Sequence, residues 1–285
     1  MDGVGGRVVV ITGAARGIGF ATAQALLARG AQVVIGDRDV PALESAVAGL
    51  SRLGTVSGHS LDVTDRESFG EFLTKARTDG NGRIDVLINN AGVMPVGRFL
   101  EQSQQSIRSS IEVNVYGVLN GCQLVLPEMV GRGQGHIVNI ASMAGIMAIP
   151  GQVVYAGTKY AVVGLSTAMA DEYAPDGIHV SVVLPPFTQT DLIAGTKSTG
   201  AGRAVSPEVV ATAIVTTLDK PRTHVAVPQP TRFLGPIVSM LGPRGRRWFN
   251  KTMGTDRLFL DEIDQSARRF YEQRVEIATG VIDTE

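Results

Sequence analysis

The chain has 285 residues, 44% of them hydrophobic and 19% charged, with a formal net charge of −1. This composition excludes a disordered or fibrous chain, and the balanced charge provides no field for holding nucleic acid. The single cysteine, Cys122, excludes an intrachain disulfide and suits a reducing compartment, so the cytoplasm is the expected location.

The elements follow one another in a simple alternation. RVVVIT (7–12) predicts a strand, and 17–29 a helix. AQVVIGD (31–37) predicts a strand and 40–53 a helix, then 55–63 a weaker strand and 65–79 a helix. IDVLINN (84–90) predicts a strand before a long helix from about 103 to 131. GHIVNIAS (135–142) and IHVSVVLPP (178–186) predict strands around a helix over 154–173. A loop over 187–205, a helix over 206–219 and the strand THVAVP (223–228) close the series. Val- and Ile-rich strands separated by helices are βαβ units. The expected fold is therefore α/β: a Rossmann-type, doubly wound, seven-stranded parallel sheet with helices on both faces. The expected division is a dinucleotide-binding catalytic domain over 1–228 and a C-terminal helical extension over 229–285.

The first turn reads TGAARGIG, Thr12 to Gly19. A strand precedes it and an amphipathic helix follows, the context a dinucleotide fingerprint requires. Glycines let the backbone approach a pyrophosphate, and the helix N-terminus supplies N–H groups to it. Asp37, at the end of the second strand, is placed to grip the adenine ribose hydroxyls and repel a 2′-phosphate. That favours NAD. Arg16 and Arg38 keep NADP open as the alternative.

Further along stand NNAG (Asn89–Gly92), Asn114 in EVNVYG, Ser142 after the fifth strand, and YAGTK (Tyr155–Lys159). Tyr155 and Lys159 are four residues apart, so on a helix they share one face. A cation beside a phenol lowers the phenol's pKa. Together, and in this order, these motifs resemble those of the classical short-chain dehydrogenase/reductase family across about residues 6–228.

The resemblance implies an oxidoreductase that interconverts an alcohol and its carbonyl by hydride transfer with a nicotinamide dinucleotide. It makes Tyr155 the acid/base, Lys159 its pKa modifier and ribose anchor, and Ser142 the partner of the substrate oxygen. Asn114 is expected to hold a water linking Lys159 to solvent, and Asn89 to be structural. Cofactor contacts are expected at Gly13, Arg16, Gly17, Ile18 and Gly19, at Asp37, Arg38, Asp62 and Val63, and at Asn90, Ala91 and Gly92. Tyr155, Lys159, Pro185, Thr188 and Thr190 complete that set. One motif departs from the family: PPFTQT (185–190) has Pro186 where a glycine is usual, which removes an N–H and fixes φ.

Met94, Met143, Ile149 and Leu192, with Val93 and Ile146, are expected to make an apolar substrate pocket around Ser142 and Tyr155, suited to a lipophilic secondary alcohol. No metal is expected, since the four histidines lack ligand spacing. A non-catalytic dinucleotide sensor is the alternative to an enzyme. The start lacks a secretory pattern, and no apolar run reaches about 18 residues, so no spanning helix is expected. In the tail, Arg244, Arg246, Arg247 and Lys251 surround Trp248 and Phe249. This segment is expected to pack over the pocket or a neighbouring subunit, with contact to a membrane surface as the alternative. A last helix over 261–278 is expected to dock through Ile263, Ala267 and Phe270. The resemblance further implies a homodimer or homotetramer paired through the helices that carry Asn114 and Tyr155.

Overall fold

A computed structural model describes residues 3–196, 204–228, 238, 240–261, 263–264, 266–268 and 271. The strands are β1 (Val8–Thr12), β2 (Gln32–Asp37), β3 (Val56–Ser60), β4 (Val86–Asn89), β5 (Gly135–Ile140), β6 (Ile178–Leu184) and β7 (His224–Ala226). They form one sheet in the order β3-β2-β1-β4-β5-β6-β7, and every neighbouring pair is parallel. The helices are α1 (Gly17–Leu27), α2 (Val40–Leu50), α3 (Arg66–Asp79), α4 (Gln104–Ile111), α5 (Gly117–Arg132), α6 (Val153–Tyr173), α7 (Pro207–Asp219) and α8 (Pro243–Thr252).

Strand alternation divides the core in two. Val9, Ile11, Val33, Ile35, Val86 and Ile88 face one side, where they join Leu26 of α1, Leu43 of α2 and Ile214 of α7. Val10, Val34, Leu87, Ile137 and Val180 face the other, with Phe69 and Phe72 of α3, Val125 of α5 and Val162 of α6. Both faces of the sheet are therefore apolar and covered, as a parallel sheet requires. Side-chain caps set the starts of three helices: Asp39 accepts from Ala42 N–H, Asp65 from Glu67 N–H, and Ser103 from Ser106 N–H.

A buried polar network joins the sheet to the helices on one of its faces. Asn89 and Asn139 are register partners on β4 and β5, and Asn89 Nδ2 donates to Asn139 Oδ1 at 2.9 Å. Asn139 Nδ2 donates to Ser166 Oγ of α6 at 2.9 Å, and the Cys122 thiol of α5 sits against both amides. Sheet and helices are thus keyed to one another by a buried network, the structural role expected of Asn89.

Two elements differ from the sequence reading, and a third adds detail to it. The long helix expected over 103–131 is interrupted by a π-helical turn, Glu112–Tyr116. β3 is only five residues long and half-buried, because it is the edge strand. Within the helical extension expected over 229–285, α8 lies in the basic, aromatic segment, whose helix bounds the sequence reading did not give, and Trp248 is exposed there. Most of the expected last helix falls outside the described residues, Phe270 included. Of its described residues, Ala267 is exposed, and the buried ones are Arg268 and Tyr271. Among the described residues no helix is long and apolar enough to cross a membrane.

Candidate active site

The strand order reverses between β1 and β4, which opens a crevice at the C-terminal ends of the strands. A cavity of about 440 Å³ occupies it. Two loops make one end. Thr12 Oγ1 accepts from Asn90 N–H at 3.0 Å and from Ala91 N–H at 3.1 Å. Asn90 Nδ2 donates back to the Thr12 and Gly13 carbonyls at 2.9 and 2.8 Å. Gly13 adopts φ +63°, and a Cβ there would lie 2.7 Å from Ala91 Cα, so only glycine fits. α1 begins directly after this turn with no side-chain cap, and Gly13, Arg16, Gly17 and Ile18 line the cavity.

Asp37 is held at the far side of that end. Its carboxylate accepts from Ala15 N–H at 3.0 Å and from Asp39 N–H at 3.1 Å. Both arginines that kept NADP open are ion-paired: Arg16 with Asp39, and Arg38 with Asp62 at 3.3 Å. Arg16 also lies 4.0 Å from Asp191 in the loop after β6. Arg38, Asp62, Val63, Asn90, Ala91, Gly92, Pro185, Thr188 and Thr190 all line the same cavity. The donor set fits a dinucleotide: an uncapped helix end for a pyrophosphate and a carboxylate for a ribose.

Ser142, Tyr155 and Lys159 meet at the other end. Ser142 follows β5, and its Oγ accepts from Ala144 N–H at 3.1 Å. Tyr155 and Lys159 are each 5% exposed on the first turns of α6. Lys159 Nζ donates to the Ile140 carbonyl at 2.9 Å and sits 5.7 Å from the centre of the Tyr155 ring. Burial pushes the phenol up to about 12, against a lowering hydrogen bond from Ser142. Burial brings Lys159 down to about 8. Desolvation dominates the phenol's net shift, and the ammonium expected to lower it is turned toward a carbonyl of the sheet.

Three expected site residues do not line the cavity. Asn114 is fully buried in the π turn. Its Oδ1 accepts from Val93 N–H at 2.9 Å, and its Nδ2 donates to Val93 O at 2.9 Å and Thr158 Oγ1 at 3.0 Å. The amide is therefore engaged by protein groups, and a water on this residue would have to use the main-chain carbonyl. Gly19 is packed beneath the turn, where a Cβ would meet Asn90 Nδ2 at 2.6 Å and the Gly13 carbonyl at 2.7 Å. It permits close packing of helix on strand. Ile146 belongs to the core beside α6 rather than to the cavity wall.

Residues 7–200 match the family model described as short chain dehydrogenase. The chain belongs to the short-chain dehydrogenase family. It is 39% identical over 188 residues to the 3-oxoacyl-[acyl-carrier-protein] reductase FabG of Thermotoga maritima, covering 66% of this chain and 76% of that protein. It is 38% identical over 232 residues to glycine betaine reductase ATRR of Emericella nidulans, covering 78% of this chain but only 18% of that much longer protein. Among solved structures it is similar to a short-chain dehydrogenase/reductase from Burkholderia phymatum in complex with NAD. The TM-score is 0.75 at 28% identity, over 83% of this chain and 94% of that one.

In this short-chain dehydrogenase the expected apolar residues Val93, Met94, Met143, Ile149 and Leu192 line the cavity around Tyr155. Others there escaped the sequence reading. Phe187 packs on Phe259 of the tail, with ring centres 5.5 Å apart. Arg268 donates to the Leu192 carbonyl at 3.1 Å and to the Met94 carbonyl, and lies 4.5 Å over the Tyr271 ring. The Tyr271 hydroxyl accepts from Met94 N–H at 3.2 Å. No motif marks these tail residues, since long-range packing alone brings Tyr271 to the cavity and sets Phe259 and Arg268 against residues that line it. Gln152, three residues before Tyr155, also lines it. Its only signal was a polar side chain in the apolar run around GQVVY.

Proposed function

We propose that this short-chain dehydrogenase is an NAD-preferring oxidoreductase that interconverts a secondary alcohol and its carbonyl, with Tyr155 moving the proton. The observation that carries this reading is the meeting of Tyr155, Ser142 and Lys159 at the floor of a cavity whose other end suits a dinucleotide. A bound nicotinamide dinucleotide supplies the hydride acceptor or donor.

The residues then divide the remaining work. A phenol held up near 12 by burial is an acid at neutral pH, suited to protonating a carbonyl oxygen as it is reduced. Ser142, beside the phenol, is proposed to orient the same oxygen. Lys159 holds positive charge behind the ring and stabilises the phenolate that forms when the proton leaves. The water relay at Asn114 is proposed through its carbonyl rather than its amide. Thr188 and Thr190 are proposed to contact the nicotinamide end, with Pro185 and Pro186 rigidifying the turn that carries them.

Asp37 together with the pairing of Arg16 and Arg38 supports NAD over NADP. A 2′-phosphate would meet a carboxylate, and neither guanidinium would be offered without breaking an ion pair. The apolar wall of Met94, Met143, Ile149 and Leu192 supports a lipophilic substrate. The contacts of Phe259, Arg268 and Tyr271 support reading 229–285 as an extension packed on the catalytic domain. Ile111, Tyr116, Val153 and Tyr160 are exposed on the helices expected to pair, which supports a homodimer or homotetramer, to be checked by light scattering.

The functional test is a screen of purified protein against alcohols and ketones with NAD and NADP, followed at the reduced-cofactor absorbance. Turnover with at least one alcohol–ketone pair is expected. Cofactor binding without turnover across a broad panel would instead make the protein a sensor.

A further inference from the structure

Gln152 is 1% exposed, yet it lines the cavity beside Tyr155. It is the residue immediately before α6, and its own carbonyl accepts from Ala156 N–H at 2.7 Å, so its backbone is fixed by the first turn of that helix. Its side-chain Nε2 points at the Met94 thioether, 3.3 Å away. Its Oε1 is fully buried and has no hydrogen-bond partner among the described residues. A thioether accepts hydrogen bonds weakly and donates none, so the nitrogen belongs on the Met94 side and the oxygen on the other. A buried amide oxygen without a donor is costly, and Met94, Met143, Ile149 and Leu192 of the same lining offer no side-chain donor. The arrangement therefore leaves an acceptor waiting for a donor, about one helical turn from the phenol that handles the reacting oxygen.

We propose that Gln152 is a specificity-determining residue whose carboxamide oxygen accepts a hydrogen bond from a second hydroxyl or N–H group of the substrate. The preferred substrates are then diols and hydroxy-ketones, or their amino counterparts, with an apolar body, rather than simple lipophilic alcohols. Met94 supports this end of the cavity from three directions. Its sulfur meets Gln152, its N–H meets Tyr271, and its carbonyl meets Arg268. The second polar group thus falls where the tail braces the wall.

This inference rests on the oxidoreductase reading, and the test separates the two. Wild-type protein is assayed with NAD on matched pairs: a secondary alcohol, and the same skeleton carrying a second hydroxyl on the adjacent carbon or one or two carbons further. At least one diol is expected to exceed its parent alcohol in kcat/KM by about tenfold or more. The variant Gln152→Met, close in length and without the acceptor, is expected to lose that advantage while keeping turnover of the parent alcohol. Its thermal midpoint establishes that it folds. If the wild type turns over neither series, the oxidoreductase reading fails and takes this inference with it. If the wild type turns over both series alike, or Gln152→Met folds and keeps the diol preference, the inference alone fails. The wild-type comparison decides the matter even where the variant does not fold.

Discussion

Lys159 Nζ donates to the carbonyl of Ile140, the last residue of β5, at 2.9 Å. That bond fixes the ammonium to the sheet, with the Tyr155 ring 5.7 Å from it. Burial then outweighs the cation, and the phenol stands near 12. The difference in ultraviolet absorbance between wild type and Tyr155→Phe should therefore show no phenolate step from about pH 6 to 10, the upper end being where an unperturbed phenol is already half ionised. A step near neutrality would show that the lysine, not desolvation, governs the group.

The same geometry separates two roles on one helix face. Tyr155→Phe should lower kcat by about 10²–10⁴-fold with unchanged dinucleotide affinity, since only the proton is lost. Lys159→Ala should lower kcat and also weaken dinucleotide binding, as it removes both the charge and the proposed ribose contact. Fluorescence titration of the dinucleotide beside steady-state kinetics tells them apart. Wild-type turnover by Tyr155→Phe would remove the phenol from the chemistry.

Cofactor choice is testable at two carboxylates. Asp37→Ala should reduce kcat/KM for NAD and raise it for NADP. Adding Asp39→Asn should release Arg16 from its ion pair and move the ratio further, by about tenfold or more in total. The wild type itself should prefer NAD. A tenfold wild-type preference for NADP would overturn the reading that these arginines are neutralised.

A buried imidazole away from the site predicts acid sensitivity. His136 is held down to about 3, by desolvation first and then by repulsion from His179 and Arg7. Its Nε2 meets Ser181 Oγ at 2.8 Å. Between about 6.5 and 3 the unfolded chain binds a proton that the folded chain does not. Stability from this group is therefore complete above 6.5 and is lost as pH falls, by at most about 1.4 kcal/mol per pH unit. Urea unfolding at pH 7 and pH 5 should show a smaller drop for His136→Gln than for wild type. Equal drops would place the acid sensitivity elsewhere.

The sheet, its order of elements and most of the cavity lining were legible because they follow from local pattern. Alternating Val and Ile make strands, a glycine turn before a helix makes a phosphate cradle, and four-residue spacing aligns Tyr155 with Lys159. What escaped depends on packing between distant segments. The direction of the Tyr155 shift needs its burial and the lean of Lys159 toward Ile140. The inward turn of Asn114 needs the π turn and the nearness of Val93. Gly19 has the right spacing for the motif but sits under the turn, where spacing cannot distinguish a lining residue from a packed one. Tyr271 reaches the cavity, and Arg268 braces Met94 behind it, only because these tail residues pack against Met94.

The buried amides of Asn89 and Asn139 have a practical corollary through their neighbour. Cys122 is the chain's one thiol; it is 2% exposed, and desolvation pushes it up to about 12. In the closed protein it is both shielded from reagents and almost wholly un-ionised, so alkylation must wait for α5 to part from the sheet. The chain thus carries its own stopwatch for opening. The rate at which a maleimide reacts with it reports how often this layer of the molecule comes undone, with no engineered label.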